Sequence, residues 1–593
     1  MNFQFGPFRL DGPARSLRLR DRELSLQPRV FDLLVYLIRN SARVVSKDEL
    51  LDTLWPGVTV TDNSLQRAVS ALRAVLREGG MEDAVRNIPR SGYRFCADAT
   101  SADQGASEPA SGDSQTLLAP ARAAAMQQRW AEAIADYQRC DAESLDARDL
   151  ESWALALQCT GKPADAIPLL MRACALNAQS GDKDAAATNA VSLSVLHLER
   201  GEAALMKGWL ERARDLIGDT GLPATAGLVQ WMASRIAAAE GNVEEALRLA
   251  ESAYETGRAA GSTKIEALAL MYRGFFRLSL GDTRGGLADQ DHAAAISLSH
   301  QTDPVTGGTL YCNILWACRT FGDWSRADQW TRGYRQFCTT SGMEFTGSCQ
   351  LHRAEVLGAQ GALPDALTHI EDALARLDGE APWALGDAYR VLGDIKSAMG
   401  DNDAALAAYD KSYGLGWNPE PGRALLLVER GEFDAALASL ERSLIGQSWW
   451  TLQRKGMLLG HLAVVAVHAG RYERAQTLID ELAGNDERWP MPSIRALTNE
   501  ATALLARVRG KTDEALRHLH LARQLWTSID CRLNATRLRL QIATLQRVTG
   551  DDAGAAAELR AAEATAAELK SGKLLRECEA VRLKAVAPDL QRQ

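Results

Sequence analysis

Long apolar runs are what this chain of 593 residues most clearly lacks, since its longest uncharged one, residues 458–469, falls far short of the roughly 20 that cross a bilayer. No secretory leader is expected either, since residues 2–10 alternate like a strand instead of passing from a charged to an apolar segment. The expected location is therefore the cytoplasm, with no membrane partner. Histidine is scarce, with nine dispersed copies, and the ten cysteines include no C-x-x-C pair and no companion histidines at metal spacing. No metal is expected, and the cysteines read as small buried apolar residues. The denser group from Cys312 to Cys349, with Trp316, Trp324 and Trp330 among it, leaves a redox or ligand-sensing patch as the alternative to plain packing.

Enzyme signatures are also wanting. There is no G-x-S-x-G elbow and no H-E-x-x-H pair. The fragment Arg509-Gly510-Lys511-Thr512 resembles part of a phosphate loop, but Leu505 stands where the upstream glycine is required. Neither catalysis nor a cofactor is expected.

What is present is charge segregation. Residues 1–98 hold fifteen Lys and Arg against twelve Asp and Glu, a net of +3, and the rest of the chain holds 52 against 64, or −12. A cationic end on an acidic chain points to nucleic acid as its partner. At 46% hydrophobic and 24% charged, the sequence is long enough for more than one core.

Helix signals in the cationic end are clear. Pro28 suits a first helical turn and opens a nearly all-apolar run from Val30 to Ile38. Ser46-Lys47-Asp48-Glu49 is a capping box followed by Leu50, Leu51, Leu54 and Trp55, with Pro56-Gly57 as a stop. A third helix begins near Thr61-Asp62 and sets Leu65, Val69, Leu72 and Leu76 on one stripe. Asn63, Gln66, Arg67, Ser70, Arg73 and Arg77 project from the other side, and no acidic residue occurs between Asp62 and Glu78. Such a face suits a major groove, because arginines meet phosphates or guanine edges and amides read adenine. Residues 84–97 read as a β-hairpin bearing Arg86, Arg90 and Arg94, again without acid. Upstream, Phe3 and Phe5, Leu17 and Leu19, and Leu24 and Leu26 alternate as in half-buried strands.

Sheet, three helices and hairpin together resemble the winged-helix DNA-binding domain of the OmpR/PhoB effector family, also found in ToxR- and CadC-like activators. The likeness covers residues 3–96 and rests on Leu33-Leu34, Val44-Val45-Ser46, Glu49-Leu50, Leu54-Trp55, Leu65, Leu72-Arg73 and Gly92-Tyr93-Arg94-Phe95. It implies that the third helix is the recognition helix, with Asn63, Gln66, Arg67 and Ser70 toward base edges. It implies further that Arg73 and Arg90 meet the DNA backbone and that Thr61 and Ser64 contact phosphates, while Arg94 belongs to the basic hairpin beside them. Ala68, Ala71 and Ala74 depart from the more basic helices of that family, which implies modest affinity per protomer and a homodimer on repeated half-sites.

Residues 99–117 are rich in Ser, Ala, Gly, Asp and Pro and read as a flexible linker. Beyond it a glycine followed five positions later by a small residue recurs, as in GKPADA at 161, GNVEEA at 241, GDWSRA at 322, GDNDAA at 400, GRYERA at 470 and GDDAGA at 550. Eleven units are visible from residue 161, the weakest being GEAALM at 201, with steps of 40, 40, 40, 41, 39, 39, 31, 39, 40 and 40 residues. Glycine takes a left-handed position ending one helix, Asp, Asn or Glu begins the next, and the small residue lets two helices approach. This resembles the second half of the tetratricopeptide repeat, lengthened from about 34 residues. Gly414 to Ala436 is similar to units in the arrays of LuxR-type and MalT-like regulators, and Pro419 and Pro421 accompany the single short step, where the superhelix is expected to bend.

The expected architecture is multidomain: an α+β winged helix-turn-helix over 1–98, a linker over 99–117, and an all-α tetratricopeptide-like solenoid over 118–593. The expected function is a one-component, sequence-specific transcriptional regulator without a receiver domain. Promoter DNA binds the head, and RNA polymerase, a regulatory protein, a peptide or a ligand binds the concave face of the array. Trp153, Trp231, Trp383, Trp449 and Trp450 are its candidate anchors, against the alternative of packing between hairpins. A protein-interaction scaffold with a weak DNA-binding head is the alternative from another class, and a small-molecule sensor that represses by default is a third. Salt dependence of DNA binding separates the first two, and calorimetry on the array tests the third.

Overall fold

Phe5, Phe8, Leu10, Leu17 and Leu24 are each at most 8% exposed and share the inner face of an antiparallel sheet, which fixes how the amino-terminal region assembles. The computed structural model describes residues 2–11, 16–19, 22–24, 26, 28–40, 44–47, 49–50, 62–81, 84–88, 92–97, 99–101, 113–218, 223–299, 302–445 and 449–590. Two compact units result, residues 1–112 and 113–593, each with its own core.

In the first unit β1 (Asn2–Phe5), β2 (Phe8–Asp11), β3 (Ser16–Leu19), β4 (Arg22–Leu24) and β7 (Ala99–Ser101) lie in the order β4-β3-β2-β1-β7. The pairs Phe5↔Phe8, Leu10↔Leu17 and Leu17↔Leu24 keep the apolar side chains on one face. The linker expected over 99–117 is correspondingly shorter. Residues 99–101 pair with β1, and the first helix of the second unit starts at Asp113. An open strand edge satisfies its N–H and C=O groups with any extended segment, and small polar residues carry no apolar signal of that use. The remainder of the expected linker, 102–112, lies outside the described residues.

The Pro28–Arg39 helix buries Val30, Phe31, Leu33, Leu34, Leu37 and Ile38, as its apolar run requires. Ser46 Oγ accepts from the Glu49 amide at 3.1 Å, the serine half of the expected capping box, while Glu49 Oε1 accepts from Tyr36 Oη at 2.8 Å. Leu51, Leu54, Trp55 and the Pro56-Gly57 stop lie outside the described residues. Leu65, Val69, Leu72 and Leu76 of the Asp62–Arg77 helix are at most 2% exposed, and β5 (Val85–Ile88) pairs with β6 (Gly92–Phe95) as the expected hairpin.

The second unit is an all-α solenoid with twenty-five α-helices among its described residues. All eleven repeat glycines adopt φ between 70° and 99°, the left-handed region they were expected to fill. Nine of the residues five positions later are alanines, Ala166 to Ala555, each 0% exposed where the two helices of a hairpin meet. Asn242, Asp282, Asp323, Asp401 and Asp551 cap the following helices through side-chain oxygens. Glu202 and Glu432, expected to start helices in the same way, make no side-chain cap; the longer glutamate is a poor fit to that short-range bond. The 40-residue period comes from longer helices: Pro223–Ala239 and Val243–Ala259 are each 17 residues, joined by three. At the short step, Gly422–Glu429 has only 8 residues.

The array also closes on itself. Trp130 Nε1 donates to the Ser341 carbonyl at 2.9 Å, Thr283 Oγ1 to Arg488 O at 2.5 Å, Ser493 Oγ to Gly322 O at 2.7 Å and Ser571 Oγ to Ala398 O at 2.6 Å. These partners are 171 to 211 residues apart, or four to five repeats, so successive turns of the superhelix touch.

Seven cysteines are buried as expected, but Cys96 is exposed, because it follows inward-pointing Phe95 at the end of β6 and faces out. In the dense group burial pushes Cys338 up to about 12 and raises Cys312, whose Sγ is 3.1 Å from His352 Nε2. These are thiols held away from the reactive thiolate form. Of the anchor tryptophans, Trp231 is buried, Trp153 stacks on Tyr137 at 5.9 Å, and Trp383 is 41% exposed. The side chains of Trp449 and Trp450 lie outside the described residues.

Candidate nucleic-acid interface

Five residues of the Asp62–Arg77 helix, Leu65, Ala68, Val69, Leu72 and Leu76, face the core, which turns Gln66, Arg67, Ser70, Ala71, Ala74 and Arg77 outward. That surface carries guanidinium, amide and hydroxyl groups and no carboxylate. Asn63 and Ser64 lie in the same helix, but their side chains, like all of Thr61 and Arg90, lie outside the described residues.

Arg73 sits at the border of the two faces, half-buried. Its Nε and Nη2 donate to the Val85 carbonyl at 3.0 and 2.7 Å, so this side chain, expected at the DNA backbone, ties the helix to β5 of the hairpin. The hairpin is also tied by main chain to the segment just before Ser46, where Val45 and Tyr93 exchange N–H···O bonds of 2.8 Å. The approach is so close that a Cβ on Gly92, at φ +133°, would lie 1.9 Å from Val45 O. Arg73 and a shared apolar core therefore brace the helix against the hairpin.

The hairpin register adds something the linear sequence did not show. Arg86 and Arg94 are directly opposed across β5 and β6, and both are exposed, while Val85, Tyr93 and Phe95 face inward. Two guanidiniums on the outer side of one strand pair give the hairpin a cationic outer face. Arg86 was visible as one of three arginines, but only strand pairing reveals which of them is its neighbour.

Residues 21–95 match the family described as transcriptional regulatory protein, C terminal. They form an OmpR/PhoB-type winged-helix domain. The OmpR/PhoB-type unit is 36% identical over 76 residues to the transcriptional activator CadC of Escherichia coli, covering 12% of this chain and 15% of that protein. It is 33% identical over 89 residues to the phosphate regulon transcriptional regulatory protein PhoB of Rhizobium meliloti, covering 15% of this chain and 39% of that protein. The chain thus spans well under half of the length of these curated relatives. Among solved structures, the APC/C hetero-tetramer Cut9–Hcn1 is 15% identical, with 79% of this chain and 96% of that chain covered at a TM-score of 0.33.

Proposed function

We propose that the protein is a sequence-specific DNA-binding transcriptional regulator whose helical array receives the controlling signal. Gln66, Arg67 and Ser70, with Asn63, read base edges in the major groove. Thr61, Ser64, Arg90 and the Arg86/Arg94 pair meet phosphates, and Arg73 holds helix and hairpin in the relative position that lets both act at once. The supporting observation is the outward face of the Asp62–Arg77 helix, free of carboxylates and braced against a hairpin with two opposed arginines. The array's partner is a ligand or a regulatory protein, RNA polymerase included, and paired half-sites bring two copies together on DNA. Promoter binding places the protein in the compartment that holds the chromosome.

The test is selection of duplexes on the full-length protein, followed by anisotropy titrations over a range of salt. Binding weakens steeply as salt rises; Arg67→Ala costs about 1–3 kcal/mol at one base position, and Arg94→Ala lowers the salt slope by about 1 for all sequences alike. A salt-independent affinity, unmoved by both substitutions, sinks this reading and favours the scaffold alternative.

A further inference from the structure

The inner face of the array encloses a cavity of about 470 Å³. That size holds a small molecule, within the roughly 300–1,000 Å³ usual for such sites. Its walls come mostly from the first helices of successive hairpins between residues 316 and 577, Trp324, Tyr409 and Trp526 come from second helices, and the short repeat contributes Trp417, Asn418 and Gly422.

Most charges on these walls are matched. Arg319 pairs with Glu355 and with Asp387 at 2.9 Å. Arg390 reaches Asp387 at 2.7 Å, Glu355 at 2.9 Å and Asp394 at 2.9 Å. Arg537 holds Glu500, with one bond of 2.7 Å, and Lys573 holds Glu429. Two wall charges have no such counterpart among the described residues. Arg454 donates only to the main-chain carbonyls of Asn418 and Glu420. Burial, with Arg390 nearby, pushes its guanidinium down to about 10. Glu577 makes no hydrogen bond or ion pair, and burial raises its carboxyl above the usual range. Trp526, 1% exposed, lines the same cavity with an indole N–H that has no acceptor. A buried N–H without an acceptor requires an explanation, because it carries its desolvation cost uncompensated. Val391, Leu425, Val464 and Leu497 give the same cavity an aliphatic part of its lining.

We propose that this cavity binds a small zwitterion with an apolar side chain, of the amino-acid or short-peptide class, its carboxylate on Arg454 and its ammonium on Glu577. A cation and an anion that make no ion pair line one void, which suits a ligand with both charges, and the aliphatic wall takes the side chain. The inference rests on the part of the proposed function that gives the array a sensing role. It is independent of whether the head binds DNA.

The test is calorimetry on the full-length protein without DNA, using leucine, phenylalanine, Leu-Leu and Phe-Leu, then their N-acetylated and C-amidated forms. At least one free zwitterion is expected to bind with 1:1 stoichiometry, and each blocking group to weaken it at least tenfold. Whether amino acids or dipeptides bind distinguishes the two sources. In Glu577→Gln the penalty of acetylation disappears, and in Arg454→Gln that of amidation. No binding by any probe at millimolar concentration, or blocked forms that bind the unsubstituted protein as tightly as free ones, overturns the proposal even if a variant fails to fold. So do penalties that persist in both folded variants. Loss of DNA binding with ligand binding intact would count against the head alone.

Discussion

Single side chains decide whether the winged unit can work. Arg73 and Arg67 lie on one helix and have opposite duties, since Arg73 spends its donors on Val85 while Arg67 points outward. Arg73→Ala leaves a carbonyl without its charged donor and is expected to cost about 1.5–3 kcal/mol, read as faster amide exchange across residues 85–95 of the full chain. Arg67→Ala is expected to leave that exchange unchanged and to alter only DNA preference. Equal exchange in the two variants would remove the bracing role. Gly92→Ala forces a Cβ onto Val45 O at a positive φ, so the hairpin must detach; the strain alone is about 1–3 kcal/mol, and binding to every duplex should fall together. From sequence, Arg73 and Arg67 look alike. Helical spacing places both off the apolar stripe, and only the position of β5 tells them apart.

Helices and turns were the most legible level. A repeat glycine, a capping Asp or Asn and a small residue five places on are local requirements, and they reappear as φ values, capping bonds and fully buried alanines. Asp282→Ala should cost about 1 kcal/mol, whereas Ala246→Leu overfills a tight hairpin and should cost about 1–3 kcal/mol; thermal melts of both variants against the parent check the order. β7 was harder to read. An added edge of small residues is fixed by main-chain pairing with β1, not by a pattern of its own. The cavity was not legible at all, because a charged residue on an inner helix face looks like any solvated one until neighbouring repeats bring its partner.

Over the whole molecule, buried ion pairs couple the array to acidity. Burial tends to raise the Asp387 and Glu500 carboxyls, but Arg390 with Arg319, and Arg537, more than offset it and hold both below the usual carboxylate range. A lowered carboxyl contributes stability that is present above the unfolded value, about 4, and lost as pH falls through the folded one. The melting temperature of the array should therefore fall below about pH 4, and less steeply in Glu500→Gln. Asp387→Asn strands two arginines and should cost about 3–5 kcal/mol at neutral pH; a loss under 1 kcal/mol by denaturant titration would show the cluster to be solvated.

Contacts between turns of the superhelix have a mechanical consequence. An ordinary solenoid behaves as a loose spring, because each coil touches only the next and can peel away alone. Here Ser571 and Arg576 grip the backbone at Ala398 and Gly400, and Ser493 grips Gly322, so the coils are stacked shut. Pulled from its ends, such a spring should not stretch gradually. It should hold its length under load and then yield several coils at once.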